Sequence, residues 1–282
     1  MKKILLFCFI LDNLKYILSS SNYDYSNYNG TITNVRILYS QSISCSISGY
    51  SAIYERISDV SLVNLEVCKS GGLSDSLLQE SDLYGINATI LFNSGRGTIS
   101  GGRIYTSRKG SNALVVTNHG NVGILNTKID STGASNARGI HASYEGIINA
   151  QSITINTKGY SSPAVSSEKG ETEITCFECI LNTGGIASPL FYSKWTIKDT
   201  RSTGTATNSK AVVIEGKNYV SIEGSKLKCG ENPISTSDAC GILIHQINSD
   251  EFNDSQESIF FSQYSTVEIL SEIIIHRLLC FI

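Results

Sequence analysis

The ionisable side chains of this sequence do not form the groups that polysaccharide cleavage requires. Glycoside hydrolysis uses two carboxylates at one site, and no adjacent Asp pair occurs in the 282 residues. A lyase needs carboxylates that bind calcium and a basic residue that accepts the proton. Four residues on neighbouring repeats are candidates for that role: Asp199, Glu173, Glu178 and Arg201. Nothing in the sequence places them on one face, so we predict no catalytic residues and no cofactor.

The histidines add no second signal for catalysis. His119 precedes Gly120 and is expected to be a turn histidine, and His141 has no identifiable partner. Solvated or packed histidines are the ordinary case.

The eight cysteines are too few for a dense disulfide framework. Cys45 and Cys68 are 23 positions apart, about one repeat, and are expected either to pair or to stack as small apolar residues. Cys229 and Cys240 bracket a loop and are a second candidate disulfide. Cys176-Phe177-Glu178-Cys179 matches C-x-x-C, but residues three apart in a strand face opposite sides. The second ligand pair that zinc needs is missing, so no metal is predicted.

The N-terminal segment has the pattern of an export signal. Lys2 and Lys3 precede a short apolar run, and Ser19 to Ser21 provide small residues for cleavage. We therefore expect a signal peptide over 1–21 and a secreted or cell-surface location; an irregular N-terminal cap is the alternative. The N-x-S/T triplets at Asn29, Asn87 and Asn253 are candidate glycosylation sites if the chain enters a eukaryotic secretory path.

Composition and charge exclude other partner classes. A net charge of −3 without a basic tract argues against nucleic acid, which needs clustered Lys and Arg. The apolar tail at 271–282 is shorter than the roughly 20 residues of a membrane span, so no transmembrane segment is predicted. The 24 Gly, set against a single Met, favour strands and turns.

The candidate residues named above must be positioned by the repeated unit of the sequence, which is a strand, a glycine turn and a second strand. Glycines that close successive copies are spaced 26, 25, 20 and 26 residues apart: Gly133, Gly159, Gly184, Gly204 and Gly230. Each is expected at a sharp turn that needs a positive φ. We predict an all-β chain over 22–270, folded as one right-handed parallel β-helix with rungs of roughly 22–26 residues.

Aligning the first strand of each repeat predicts which side chains face outward. The columns led by Leu114 and Val116 should fill the core, with Ala164, Leu190, Ser166 and Tyr192 among their members. The column between them should face outward: Val115, His141, Val165, Phe191 and Val213. Together with Tyr144, Tyr192 and Trp195 it is a candidate ligand strip, because exposed apolar and aromatic patches mark binding surfaces. A bent strand or an overlying loop that buries the column is the alternative.

Several stretches resemble a known family. LYGINATILFNSGRGTISGGRIYTS, from Leu83 to Ser107, and later GIHASYEG, SPLFYS, AVVIEGKN and GILIHQINSD are similar to repeats of adhesin-like right-handed β-helix surface proteins of microbes. The resemblance covers roughly Gly49 to Ile269. It implies an exported surface protein and no particular activity.

The sequence therefore predicts a non-enzymatic, secreted or cell-surface adhesin-like protein. Its partner is expected to be a polysaccharide or a surface glycoprotein, and open strand edges predict end-to-end self-association. A polysaccharide lyase or glycoside hydrolase of the pectate-lyase-like type is the alternative, and a stalk without a ligand site is a second. Ice binding is disfavoured because no regular Thr-x-Thr column is present.

Overall fold

The computed structural model describes residues 37–56, 60–215, 218–230, 241–245, 259–263 and 266–269. The signal peptide predicted over 1–21, the tail at 271–282, and Asn29, Cys240 and Asn253 lie outside these ranges. Within them the chain is almost entirely β-structure, arranged as coils that contribute one strand to each of three parallel sheets.

The strands are numbered in chain order and belong to three sheets. The first sheet comprises β1 Ile37–Tyr39, β4 Val60–Val63, β7 Arg96–Ser100, β10 Asn121–Leu125, β13 Ile147–Gln151, β16 Glu173–Phe177, β19 Thr196–Thr200, β22 Tyr219–Glu223 and β25 Ile259–Gln263. The second comprises β2 Ser42–Cys45, β5 Glu66–Lys69, β8 Arg103–Thr106, β11 Lys128–Ser131, β14 Thr154–Thr157, β17 Ile180–Thr183, β20 Thr203–Ala206, β23 Lys226–Cys229 and β26 Thr266–Ile269. The third comprises β3 Ile53–Glu55, β6 Ile90–Asn93, β9 Leu114–Thr117, β12 Ile140–Ala142, β15 Val165–Ser167, β18 Phe191–Ser193, β21 Val212–Glu215 and β24 Ile242–His245.

Each strand pairs in parallel with the equivalent strand of the next coil. In the third sheet Ile90 pairs with Leu114, Leu114 with Ile140, Ile140 with Val165 and Val165 with Phe191, which gives repeats of 24, 26, 25 and 26 residues. This stacking satisfies the backbone groups of every coil from the coils above and below it. The predicted β-solenoid is confirmed.

Other intervals are longer than these. Tyr219 pairs with Ile259, 40 residues later, and Ile53 pairs with Ile90, 37 residues later. Between Ile53 and Ile90 the additional chain contains a 3-10 turn at Asp75–Leu77 and a seven-residue helix, α1, at Leu78–Tyr84. Among the described residues, no helix has the length and apolar character to cross a membrane.

Apolar side chains from all three sheets fill the interior of the coils. In the third sheet the inward column is Ile53, Ile90, Leu114, Ile140, Val165, Phe191 and Val212. The predicted column differs by one residue at two coils, where it had Ala164 and Leu190 instead of Val165 and Phe191. In those coils the residue before the strand is also buried, so a continuous apolar run hides the register.

The closing glycines were expected to need a positive φ, and this prediction is wrong for most of them. Of the five, only Gly230 has a positive φ. Gly159 is needed because a Cβ there would lie 2.1 Å from the carbonyl oxygen of Gly133 on the preceding coil. The sharp corner between the first and second sheets is instead made by single residues with positive φ, among them Asn126, Ser152 and Glu178.

Among the described residues, the carboxyl groups of Glu55 and Asp199 and the ammonium of Lys69 lie inside the coils. Glu55 is fully buried without a hydrogen-bond partner, and burial raises the pKa of its carboxyl to about 8. Burial lowers the pKa of Lys69 to about 7, and its ammonium donates to the carbonyls of Ile47 and Gly71 at 2.8 and 3.0 Å. Burial raises the pKa of Asp199 to about 6, although Ser225 Oγ donates to this carboxylate at 2.8 Å. Each is a buried ionisable group whose charged form burial disfavours.

Candidate functional site

The outer face of the third sheet carries a different column from the predicted one. Alternation along each strand turns Leu91, Val115, His141, Ser166, Tyr192 and Val213 outward. Val165 and Phe191, predicted to be outward, face the core and are fully buried. Ser166 and Tyr192, predicted to be inward, face outward. The predicted strip is therefore wrong at these two coils because of the one-residue register difference.

Helix α1 and the turns beside it cover the first part of this face. Leu91 and Val115 form a small apolar cluster with Tyr54 and Ala88, separate from the main core. Gly85, which ends α1 with φ +71°, is required there because a Cβ would lie 2.7 Å from both Leu91 and Val115. Val115 is consequently fully buried, which confirms the alternative of an overlying segment for this coil.

His141 is also covered by α1 and is neutral. Its Nε2 lies 2.6 Å from the carbonyl oxygen of Asp82 and its Nδ1 lies 2.8 Å from Ser166 Oγ. Since a carbonyl can only accept, Nε2 carries the proton and Nδ1 accepts from the serine hydroxyl. Burial, with the nearby Arg138 charge adding to it, lowers the pKa of His141 to about 3. His141 thus anchors the helix and is not available to a ligand or as a base.

Beyond α1 the same face carries a polar group that we call the Tyr192 cluster: Arg138, Glu168, Tyr192, Lys194 and Glu215. Its side chains come from successive coils, since Glu168 follows β15, Lys194 follows β18 and Glu215 ends β21. These three positions are aligned by strand register, because Ser167 pairs with Ser193 and Ser193 pairs with Ile214. Residues at the ends of the third-sheet strands therefore meet along the axis of the solenoid.

Arg138 is the buried cation of this cluster. Its guanidinium pairs with Asp82 of α1 and lies 3.6 Å from Glu168 Oε1, with 5% of the side chain exposed. Burial lowers the pKa of Arg138, and the charge of Glu168 opposes that shift. Its Nε has no hydrogen-bond partner. Arg138 thus links the helix to the exposed part of the cluster.

Lys194 joins the two glutamates of the cluster. Its Nζ lies 2.8 Å from Glu168 and 3.9 Å from Glu215, and 5.5 Å from the centre of the Tyr192 ring. The Tyr192 hydroxyl donates to Glu215 at 2.5 Å. Burial raises the pKa of Tyr192 well above its usual range, and the carboxylates of Glu168 and Glu215 raise it further. The phenol therefore stays protonated and acts as a donor.

The other predicted aromatic residues lie at the edges of this face. Tyr144 stacks on Tyr84 of α1, with ring centres 5.5 Å apart, and burial raises the pKa of Tyr144 to about 12. Trp195 is half-buried in the turn between β18 and β19, where its backbone N–H donates to Ser167 Oγ at 3.1 Å. Val213 lies outward but is only 8% exposed.

The charged members of the cluster were missed by sequence reasoning. Glu168, Lys194 and Glu215 each lie two residues after the outward column, and their charges alternate. That alternation of charge could have indicated the cluster from the sequence, but only with the correct register of the strands.

The candidate lyase residues do not assemble. Asp199 faces the interior, while Glu173 pairs with Lys198 at 2.6 Å and Glu178 with Arg201 at 3.2 Å on the outside. In the part of the chain that the structure describes, no group of three or more His, Cys, Asp or Glu residues is arranged to hold a metal ion.

His119 and Asp130 have structural roles. His119 lies in a turn, as predicted, and its Nδ1 is 2.7 Å from Glu145. Asp130 accepts at 2.9 Å from Asn156, which in turn accepts at 3.0 Å from Asn182. This ladder of polar side chains ties three coils together on the second sheet.

The predicted Cys45–Cys68 disulfide is not formed. Cys45 pairs in register with Lys69 and faces inward, whereas Cys68 pairs with Ser44 and faces outward with a free thiol. Cys45 is disulfide-bonded, but not to Cys68. The second predicted pair includes Cys240, outside the described residues, and Cys229 is buried.

Asn87 is not a glycosylation site in the folded chain, because its amide is fully buried. Its Oδ1 accepts from Gly49 N–H at 3.0 Å, and its Nδ2 donates to Gly71 O at 3.0 Å and to Ser111 Oγ at 2.8 Å. The side chain thus fastens the long insertion to two other coils, and no room remains for a glycan.

Fold and site together define a β-solenoid with a polar cluster on one outer face. Comparisons with protein-family models, with curated proteins and with solved structures gave no match. The adhesin-like resemblance is therefore carried by the sequence stretches alone.

Proposed function

We propose that this chain is a non-enzymatic, adhesin-like protein that acts outside the cell and binds a glycan at the Tyr192 cluster. One observation carries the proposal: on successive coils, a tyrosine ring, an ammonium and two carboxylates meet on one outer face, next to the edge formed by α1. The proposed extracellular location rests on the export-signal pattern that begins with Lys2 and Lys3, and this segment lies outside the described residues.

The chemistry of the cluster suits a hydroxyl-rich ligand. Carboxylates accept from sugar hydroxyls, ammonium and phenol groups donate to them, and an aromatic ring packs against the apolar face of a sugar. Glu168 and Glu215, with Asp82 behind them, outnumber the cations Arg138 and Lys194. Neutral glycans are therefore favoured over acidic ones.

The solenoid also offers repetition along its axis. Neighbouring coils are separated by about 4.8 Å, so an extended chain lying along the third sheet passes a new set of side chains at each coil. Several weak contacts then act together, because each further contact is intramolecular once the first has formed.

The test is retention of the full-length chain on a panel of neutral and acidic polysaccharides. Tyr192→Ala should weaken retention at least about tenfold, equivalent to about 1.4 kcal/mol. Tyr219→Ala is the matched control, because Tyr219 is an exposed tyrosine on the first sheet. Equal retention of the two variants, or retention on no glycan, contradicts the proposal.

A hydrolase or lyase remains the second candidate, and one contact favours it. Glu168 and Glu215 both lie within 4 Å of the same Lys194 nitrogen, and paired carboxylates are what glycoside hydrolysis uses. Reducing ends and unsaturated products are measured in the same wells. Product release that Glu215→Gln abolishes would replace the binding proposal with this one.

A further inference from the structure

Two cysteine side chains meet inside the coils. Cys176 belongs to the inward column of β16, and Cys179 follows β16 after a single residue in the left-handed conformation, Glu178 with φ +54°. Both are buried, with 3% and 1% exposed, and both belong to the main core cluster. The carbonyl oxygen 3.8 Å from Cys179 Sγ belongs to Ala150, which pairs in register with Cys176. The prediction that they face opposite sides is wrong because strict alternation holds only in a continuous extended strand, and Glu178 breaks it.

The surroundings of the two sulfurs differ. Cys179 Sγ lies 3.6 Å from the carbonyl oxygen of Phe177 and 3.8 Å from that of Ala150, while Cys176 pairs in register with Asp199 of the next coil. The neighbouring Cys176 thiol lowers the pKa of Cys179. The Cys179 thiol, together with burial, raises the pKa of Cys176. These directions favour Cys179 as the attacking sulfur.

We propose that Cys176 and Cys179 are an oxidation site, closing into an intramolecular disulfide when the chain meets a low-molecular-weight disulfide such as oxidised glutathione. The Cys179 thiolate, having lost its proton to solvent, attacks one sulfur of the oxidant, forms a mixed disulfide and expels one thiolate. The Cys176 thiol then loses its proton to solvent, attacks Cys179 Sγ, forms the protein disulfide and expels the second thiolate; the two released thiolates take up the two protons. The two cysteines lose two electrons, and one oxidant disulfide becomes two thiols.

The bond joins the end of β16 to the residue before β17 and so closes the corner between the first and second sheets at Glu178. Because the reacting sulfurs are buried, attack occurs during folding or local opening of this corner, and the folded coil then holds the product together. The Tyr192 cluster lies on the third sheet, so oxidation and glycan binding are separate properties.

Glu178 lies between the two cysteines, which makes the test direct. The full chain is refolded in oxidised glutathione, remaining thiols are blocked, and the denatured protein is cut by a glutamate-specific protease. We expect the fragments that end at Glu178 and begin at Cys179 to stay joined until a reductant is added. Cys176→Ala should abolish the joined species, whereas Cys68→Ala, which removes an outward thiol, should not.

Fragments that separate without reductant, while Cys68 has reacted with the oxidant, overturn the proposal. Linkage of Cys179 to any other cysteine overturns it as well. The wild-type measurement decides the question even if Cys176→Ala does not fold, and neither result depends on whether a glycan binds.

Discussion

Phe191 and Tyr192 are neighbours in β18, and the register of the third sheet gives them opposite environments. Phe191 is fully buried between Val165 and Val212 of the adjacent coils, so Phe191→Ala removes a core ring that the coils cannot replace. Such truncations cost about 3–5 kcal/mol. Tyr192 is half-buried and loses one hydrogen bond to Glu215 in addition to ring contacts, so Tyr192→Ala should cost about 1–2 kcal/mol.

Urea unfolding followed by far-ultraviolet circular dichroism measures both values. We expect Phe191→Ala to lower the unfolding midpoint clearly more than Tyr192→Ala does. The opposite order would place Phe191 outside and Tyr192 inside, and would refute the register on which the Tyr192 cluster depends. The two substitutions lie at adjacent positions of the same strand. A general effect on the stability of the solenoid would therefore act on both variants alike and would not explain a difference between their midpoints.

Three further predictions follow from buried groups. Burial raises the folded pKa of Glu55 to about 8 from an unfolded value near 4.5. The stability of the wild type relative to Glu55→Gln should therefore be highest below the unfolded pKa and should fall as pH rises towards 8. Urea unfolding midpoints of both proteins at pH 5 and pH 8 check this, and a difference between the two proteins that is the same at both pH values contradicts it. Asn87→Ala should cost about 2–3 kcal/mol and expose segment 70–88 to limited proteolysis; an unchanged cleavage rate would show that the amide does not fasten the insertion. Gly159→Ala should lower the free energy of unfolding by about 1–3 kcal/mol, because the added Cβ meets the Gly133 carbonyl. Gly123→Ala is the control: its added Cβ would have its nearest contact at 3.8 Å, so thermal stability should change little. Equal losses of stability in the two variants would contradict the close approach of the coils at Gly159.

The repeat of the coils was predictable, because each must bury its own apolar column and therefore repeats the same alternation. Ile129 and Ile155, for example, recur at one coil spacing and are paired in adjacent strands. Register was not predictable at Val165 and Phe191, where buried residues before the strand extend the apolar run. A slip of one residue there exchanges the inner and outer faces.

Helix α1 was not predictable from periodicity, since seven residues give fewer than two complete turns. It depends instead on distant contacts: Ser81 Oγ donates to Gly110 O at 2.9 Å, and Asp82 pairs with Arg138. The charged members of the Tyr192 cluster were also missed, because they meet Tyr192 only when the coils are stacked in the correct register.

The most direct test of the binding proposal is hydrogen exchange of the full chain with and without a glycan that it retains. We expect slower exchange in 191–195 and 212–215, which contribute Tyr192, Lys194 and Glu215, and no change in 226–229 on the second sheet. Protection of 226–229, with 191–195 unaffected, would contradict the assignment of the third sheet as the binding face.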